Sequence, residues 1–362
     1  MEDRSLATAG VVLAGIAFAA AALPWEATGV GPVENVALGV LGAAAFGAFS
    51  LRRHGLLARA PGALAAGAAS LAVVGYIGLS AVGVLPGPRS PLAATLAFVG
   101  GFGGVIAAYG DGRGLPDRAG EMARAFGRSL AIGFAGLFAI AVWSNVAVVA
   151  VAPFVSGEIT QLHTLAIGAV ALGLGTGTVA LVYFRLTDTD LSYLDFRLPT
   201  LRDWGYVAVG VVALFGLQLV LGLLFQQLGV DTASHSIEQA ARGGDPTILL
   251  WLIPVSWLII GPGEELLYRN IIQKSLYDHF SERGAVVVAS VVFALVHIPA
   301  YYTPDLAAMA VTLVVILGLS LILGATYLKT DNVTVPAIVH GTFDAIIFGA
   351  LYVQITGGVP GA

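Results

Sequence analysis

The sequence predicts an all-α, polytopic membrane helix bundle of about eleven transmembrane helices with its N-terminus in the cytoplasm. Three observations lead there. Hydrophobic residues make up 57% of the 362-residue chain and charged residues 11%, where a soluble domain carries about 25% charged residues; mean hydropathy is +0.89. The apolar residues continue for about 20 positions at a time, the length a helix needs to cross the hydrocarbon core, without the two-residue alternation of a membrane barrel. Glycine, with 47 residues, and alanine are abundant, as expected where helices approach closely in lipid.

Taken in order, the spans are expected near residues 5–23, 33–51, 63–85, 92–109, 130–154, 165–184, 204–228, 247–268, 284–300, 305–328 and 333–355. The first run follows Glu2, Asp3 and Arg4 rather than a clearly basic start, and another span comes at once. It therefore reads as a span and not as a cleaved leader. With the N-terminus inside, the inner segments hold Arg4; Arg52, Arg53 and Arg59; Arg113, Arg118, Arg124 and Arg128; Arg185, Arg197 and Arg202; Arg269, Lys274 and Arg283; and Lys329. Of the 17 basic residues only Arg89 and Arg242 fall outside, which is the positive-inside bias. The C-terminus comes out external, and the chain is expected to be an integral, multi-pass protein of the cell (plasma) membrane.

The chain has no cysteine, which excludes disulfides, thiolate metal sites and a cysteine nucleophile. Any metal must be held by histidine and carboxylate. The net charge of −5 is small and no basic surface stands out, so nucleic acid is not an expected partner. Gly100-Gly-Phe-Gly-Gly104 and Gly173-Leu-Gly-Thr-Gly177 lack the Lys-Ser/Thr ending and strand–turn–helix setting of a phosphate loop. They read as close helix packing. Residues 186–203 form a polar break, an amphipathic linker on the inner face. It separates residues 1–190, a multi-helix membrane region of unknown role, from residues 200–355, where the chemistry lies. Segment 229–246 is a polar external loop with His235, Glu238 and Asp245.

Glu264 and Glu265 stand together at the end of an apolar run, in Gly261-Pro-Gly-Glu-Glu-Leu-Leu-Tyr-Arg269. A charge near the middle of a membrane helix costs about 2.5–3.5 kcal/mol on insertion scales, so one retained there points to function. Arg269 lies one turn beyond Glu265 on the same face and can offset its burial. Glu264 points about 100° away and is free to face a cavity. Pro262 between two glycines removes a backbone hydrogen bond and invites a kink. Taken alone, the stretch is equally the polar mouth of a span with its charges at the interface.

His297 ends Phe293-Ala-Leu-Val-His297, deep in the ninth apolar run; a lone intramembrane histidine is often a packed, hydrogen-bonded group. His340-Gly-Thr-Phe-Asp344 is sharper, because the four-residue spacing puts imidazole and carboxylate on one face. Asp344 can orient His340, share a metal with it, or help to bind an oxyanion. His54, His163, His235 and His279 fall in loops or at their edges and read as solvated residues.

In combination the three segments say more. Glu-Glu-x-x-x-Arg, Phe-x-x-x-His and His-x-x-x-Asp, in this order on three apolar segments, resemble the CPBP family of intramembrane proteases, also called the CAAX-protease and bacteriocin-processing, or Abi, family. Pro336, before the last motif, fits the likeness, which covers roughly residues 200–355. The resemblance implies that Glu264 is the base that activates water and Glu265 a supporting acid tied to Arg269. His297 works with Glu264 on the water or metal, and His340 and Asp344 complete the site as metal ligands or as an oxyanion-stabilising pair. Phe293 is implied as structural support. Two histidines and carboxylates suit Zn²⁺, so Glu264, His297, His340 and Asp344 form the expected metal set. A Glu–His pair can also activate water unaided.

The expected activity is that of a metalloendopeptidase acting on membrane-associated peptide or protein substrates, with CAAX-type C-terminal processing as one branch. A secondary transporter and a non-catalytic, immunity-like membrane protein are the alternatives. No inverted repeat supports the former, and the intact motif set argues against the latter. One geometric point resists. On these spans Glu264 lies towards the cytoplasmic half and His297 towards the external half, so tilt or an earlier start of the ninth span must bring them level.

Overall fold

The structure, a computed structural model, describes residues 4–21, 33–81, 84–85, 91–114, 118–155, 158–229, 232–303 and 305–357. Among these the chain is helical without strands. The helices are α1 (Ser5–Ala20), α2 (Val33–Arg53), α3 (Arg59–Ala81), α4 (Pro91–Arg113), α5 (Ala119–Val151), α6 (Gln161–Thr187), α7 (Leu201–Leu228), α8 (Ser236–Gly243), α9 (Ile248–Leu276), α10 (Glu282–Val296), α11 (Leu306–Thr330) and α12 (Thr334–Thr356). Each apolar run of the sequence lies on one of them, and α8 is an extra short helix in the 229–246 segment. Eight of the described helices, α2, α3, α5, α6, α7, α9, α11 and α12, are long and apolar enough to cross a membrane. α1 and α10 are shorter, with 16 and 15 residues. Outward-facing side chains such as Leu181, Leu219 and Leu258 are exposed and apolar, as a lipid solvent requires. The chain is an integral membrane protein built as a polytopic helical bundle.

Cα packing groups the chain into two units. In the first, Met1–Ala119 with Leu228–Val230 and Pro304–Ala310, α1 packs on α2 and α4, and α3 on the same two. Small residues set this packing. A Cβ on Gly100 would stand 2.5 Å from the Leu13 carbonyl oxygen, so α4 and α1 touch backbone to backbone. Arg52 and Asp111 form a buried bidentate pair with Nε–Oδ2 at 2.7 Å and Nη2–Oδ1 at 3.2 Å.

The second unit holds α5 to α10, α12 and α11 from Val311 onwards. Its spine is α9, which packs on α6, α10 and α12. One cluster joins α6, α9 and α10 through Phe184, Leu267, Ile271 and Val292; another joins α7, α11 and α12 through Leu214, Leu323, Val339 and Phe343. The linker between α6 and α7 forms a strap across the ends of three helices. Asp195 N–H donates to Asn270 Oδ1 (2.8 Å), Asn270 Nδ2 to the Tyr193 carbonyl (3.0 Å), and Val333 N–H to the Asp195 carbonyl (3.0 Å). Lys274 Nζ lies 2.8 Å from Asp195 Oδ2, the same oxygen that accepts from Tyr327.

The strap explains a difference from the hydropathy reading. Polar Arg269, Asn270, Gln273 and Lys274 suggest that the eighth span ends near 268, yet α9 continues to Leu276. Each of the four has a partner. Arg269 bonds Glu265 and Ser320, Asn270 and Lys274 bond the strap, and Gln273 donates to the Gly324 carbonyl (3.1 Å). Arg269, Asn270 and Gln273 are fully buried, which is tolerable in a membrane protein because these hydrogen bonds are made within the chain.

Candidate active site

The backbone of α9 is unusual on both sides of the two glutamates. Residues Ser256–Ile260 and Leu266–Gln273 form π-helical turns, flanking Gly261–Glu265. Pro254 and Pro262 each lack the N–H that a regular turn would use, and Gly261 N–H bonds the Ser256 carbonyl across the wider turn. The Gly-Pro-Gly stretch thus sits between two π turns, which recur at functional sites. Gly261 and Gly341 also let α9 meet α12 directly. A Cβ on Gly261 would lie 2.5 Å from the Ala337 carbonyl oxygen, and one on Gly341 would lie 2.7 Å from that of Ser256. This contact brings His340, next to Gly341, up against the glutamates.

The level of the two halves follows from helix lengths. With α9 running to Leu276, Glu264 sits at most about 18 Å above that end, the α-helical rise of 1.5 Å per residue being an upper bound across the π turns. His297, at the C-terminus of α10, sits about 22 Å above Glu282. The short turn between the helices therefore puts Glu264 and His297 at similar depth. The expected mismatch came from ending the eighth span too early.

The structure brings Glu264, Glu265, His297, His340 and Asp344 into one cluster. Glu264 Oε2 lies 3.8 Å from His297 Nε2 and 4.0 Å from His340 Nε2, and His340 Nε2 lies 3.5 Å from Asp344 Oδ2. Glu265 is fully buried and bridges two partners. Its Oε2 accepts from Arg269 Nε at 2.7 Å, and its Oε1 stands 2.9 Å from His340 Nδ1. Arg269 donates in turn to Ser320 Oγ at 3.0 Å. The Glu265–Arg269 pair matches the one-turn spacing, and the charges lie inside the bundle rather than at a polar mouth. Of the three roles open to Asp344, orientation of the ring at Nδ1 is taken by Glu265.

Ring nitrogens are fixed in the same way on the other histidine. His297 Nδ1 stands 2.7 Å from the Phe293 carbonyl oxygen, which only accepts, so Nδ1 carries the proton and Nε2 faces Glu264. Phe293 braces the cluster. Its ring centroid lies 4.3 Å from that of His297 and 6.2 Å from that of His340, with the Arg269 guanidinium 5.4 Å from the Phe293 centroid. Tyr268 packs edge-on against the same ring at 4.7 Å. The Phe-x-x-x-His spacing thus places an aromatic under both imidazoles.

Glu264, His297, His340 and Asp344 line a cavity of about 500 Å³, shared with apolar side chains of α7, α11 and α12 such as Phe225, Leu319 and Phe348. Glu264 Oε2 is buried there without a hydrogen-bond partner. The donor set, two imidazole Nε2 atoms and two carboxylates, suits zinc in its chemistry. Ligands at zinc distances of about 2.0–2.2 Å stand roughly 3.3–3.6 Å apart in a tetrahedron. The separations of 3.5–4.0 Å are thus slightly wide, and no closed group of three or more ligands stands among the described residues. The donor types thus fit zinc, and the three separations would have to shorten for the ion to be held.

Several residues at this cavity give no sequence signal. Gln218, His235, Glu238, Tyr301 and Thr312 all line it. His235, which reads as a solvated loop residue, is instead half-buried. Its Nδ1 accepts from Ile237 N–H at 3.0 Å to cap α8, and its ring meets Tyr301 edge-on at 4.8 Å. Burial first, and His297 second, push the His235 imidazole down to about 4. Only the fold reveals this, since α8 turns the polar loop back over the cavity.

No curated protein and no solved structure matches the chain. A family model does, over residues 246–346, from just before α9 to just after Asp344, and so over every motif of the cluster. Its description is type II CAAX prenyl endopeptidase, Rce1-like, so residues 246–346 match a family model of the CPBP, or CAAX-protease, kind.

Proposed function

We propose that this protein is an intramembrane endopeptidase in which Glu264 activates the attacking water, with His297, His340 and Asp344 assisting. One observation carries the reading: the orphaned Glu264 Oε2 faces two imidazole Nε2 atoms, at 3.8 and 4.0 Å, across a cavity. A gap of that size is bridged by a single water. Glu264 takes the water proton as the oxygen attacks the peptide carbonyl carbon, and the carbonyl electron pair moves onto its oxygen. Collapse of the tetrahedral species breaks the C–N bond, and the proton held by Glu264 passes to the leaving amine. His297 Nε2 accepts from the water and orients it. His340 is held at Nδ1 by Glu265 and presents Nε2 beside Asp344, where an N–H donor stabilises the oxyanion; such donors are worth about 2.7–4 kcal/mol each. Arg269 offsets the charge of Glu265, and Phe293 keeps both rings in place.

A zinc ion, held by Glu264, His297, His340 and Asp344, would supply a Lewis acid and a more acidic bound water. With the ion bound, His340 Nε2 would be a ligand instead of an N–H donor to the oxyanion, so the zinc-bound and the metal-free site are alternative forms of this proposal.

The substrate we propose is a membrane-associated peptide or protein, processed near its C-terminus in the CAAX manner. The family description and the apolar cavity wall support this, as a lipidated chain end suits such a wall. Residence in the cell membrane with a cytoplasmic N-terminus completes the proposal. The test is cleavage by the purified protein in lipid vesicles of a peptide ending in farnesyl-cysteine and three further residues, beside an unprenylated membrane-anchored control. Release of the tripeptide by the wild type and not by Glu264→Gln is expected. Failure of the wild type to cleave either peptide would overturn the reading.

A further inference from the structure

A second orphaned polar atom lies in the same cavity. Gln218 on α7 lines it, and its Oε1 is buried without a hydrogen-bond partner. Its neighbours on the wall, Leu214, Gly222, Phe225 and Leu319, carry no polar side-chain atom. Of the polar groups that line the cavity, Thr312 Oγ1 accepts from Ala233 N–H at 2.8 Å, His235 Nδ1 accepts from Ile237 N–H at 3.0 Å and Glu238 pairs with Arg242 at 2.9 Å, and no described group bonds Gln218 Oε1. A carboxamide in apolar surroundings with an unmade bond is costly, and an apolar residue of the same size would avoid that cost. A partner from outside the chain resolves it.

We infer that Gln218 binds the main chain of an extended peptide substrate, its Oε1 accepting one substrate N–H inside the cavity that holds Glu264. The inference rests on the endopeptidase reading and adds to it a residue that recognises peptide backbone rather than side chains. The chemistry is specific. A peptide entering a largely apolar cavity gives up the water bound to its own amides. A side-chain carboxamide returns one of those bonds without regard to sequence. Gln218 is a substrate-binding residue, and the bond-making steps remain with Glu264.

The experiment uses the full chain carrying Glu264→Gln, so that binding is read without turnover. The probe is a fluorescent farnesyl-cysteine peptide with three further residues, made with all amides and with each amide in turn replaced by an ester, in which an oxygen takes the place of the N–H. With Gln218 present, one ester position is expected to weaken binding about three- to tenfold, the usual worth of one hydrogen bond. With Gln218→Met added, the all-amide peptide binds weaker by the same factor, and that ester costs nothing more. Gln218→Asn keeps the carboxamide on a shorter stem and retains part of the ester sensitivity; it stands in where the Met variant does not fold. Equal binding of every peptide form to the Gln218 chain, or an ester penalty unchanged by both substitutions, overturns the inference. Hydrolysis by the chain with Glu264 intact is followed in parallel. Cleavage without an ester effect refutes Gln218 alone, whereas an ester effect without cleavage keeps Gln218 as a peptide-binding group and refutes the endopeptidase reading.

Discussion

Glu265 Oε1 stands 2.9 Å from His340 Nδ1, joining two helices across 75 residues of sequence, while the same carboxylate holds Arg269 at 2.7 Å. This fully buried group therefore has two partners that depend on it. Glu265→Ala strands Arg269 in the interior and frees the His340 ring. Removing one member of a buried pair costs about 3–5 kcal/mol, so folded protein should fall sharply, together with hydrolysis. Adding Arg269→Met should restore much of the stability and none of the activity, measured as thermal unfolding in detergent and peptide cleavage. Equal thermal midpoints for wild type and Glu265→Ala would refute this.

Glu264 differs from its neighbour because its partners within 4 Å are the Nε2 atoms of His297 and His340 and not an arginine. Its Oε2 has no hydrogen-bond partner, so Glu264→Gln removes a base and leaves no opposite charge stranded. Hydrolysis should drop by about 10²–10⁴-fold, the usual contribution of a general base, with unfolding unchanged. Comparable losses of folded protein in Glu264→Gln and Glu265→Ala would assign both acids a structural role.

Gly341 provides a test of how the site is held. A Cβ there would meet the Ser256 carbonyl oxygen at 2.7 Å and Trp257 Cα at 2.9 Å. Both are backbone atoms that cannot rotate away, so Gly341→Ala must push α12 from α9. Overpacking of this kind costs about 1–3 kcal/mol. Displacing His340 by even an ångström should lower activity by about 10²-fold. Gly349→Ala on the same helix meets only Ile253 Cδ1 at 3.9 Å and should leave stability and cleavage unchanged.

What was legible in the sequence was local. Apolar run length marks the helices, and one-turn spacing pairs Glu265 with Arg269 and puts His340 beside Asp344. The contact of Glu265 with His340 is not local. It needs α9 and α12 to touch at Gly261 and Gly341, and nothing in either segment alone names the other. The C-terminal third of α9 was hidden for a related reason. Asn270, Gln273 and Lys274 look solvated until the strap at Tyr193 and Asp195 and the carbonyl of Gly324 supply their partners. Gln218 and His235 carry no motif, and only the cavity gives them meaning.

His235 makes the cap of α8 sensitive to acid. An unfolded histidine titrates near 6.5, while burial holds this one down to about 4 in the fold. Between those values the unfolded segment binds more protons than the folded one, so stability falls as pH drops from 6.5 towards 4. Above that window the contribution is constant. Protonated Nδ1 can no longer accept from Ile237 N–H, so hydrogen-exchange protection of residues 235–243, taken relative to the intrinsic rate at each pH, should fall across this range. His235→Asn keeps a capping acceptor that does not titrate, and its protection should stay flat. The same acid response in that variant would exclude His235 as its source.

Zinc is the last point to test. Glu264 Oε2, which lacks a hydrogen-bond partner, lies 3.8 and 4.0 Å from the Nε2 atoms of His297 and His340, and His340 Nε2 lies 3.5 Å from Asp344 Oδ2, a donor set that suits zinc. Chelation of the purified protein should remove bound zinc and peptide cleavage together, and re-addition should restore both. His297→Ala should lower zinc content and activity in parallel, because it deletes one ligand. Zinc content by mass spectrometry and cleavage are measured on the same samples. Full activity in protein shown to be free of metal would sink the zinc site. It would leave Glu264 and His297 as a pair that activates water directly, with His340 and Asp344 serving the oxyanion.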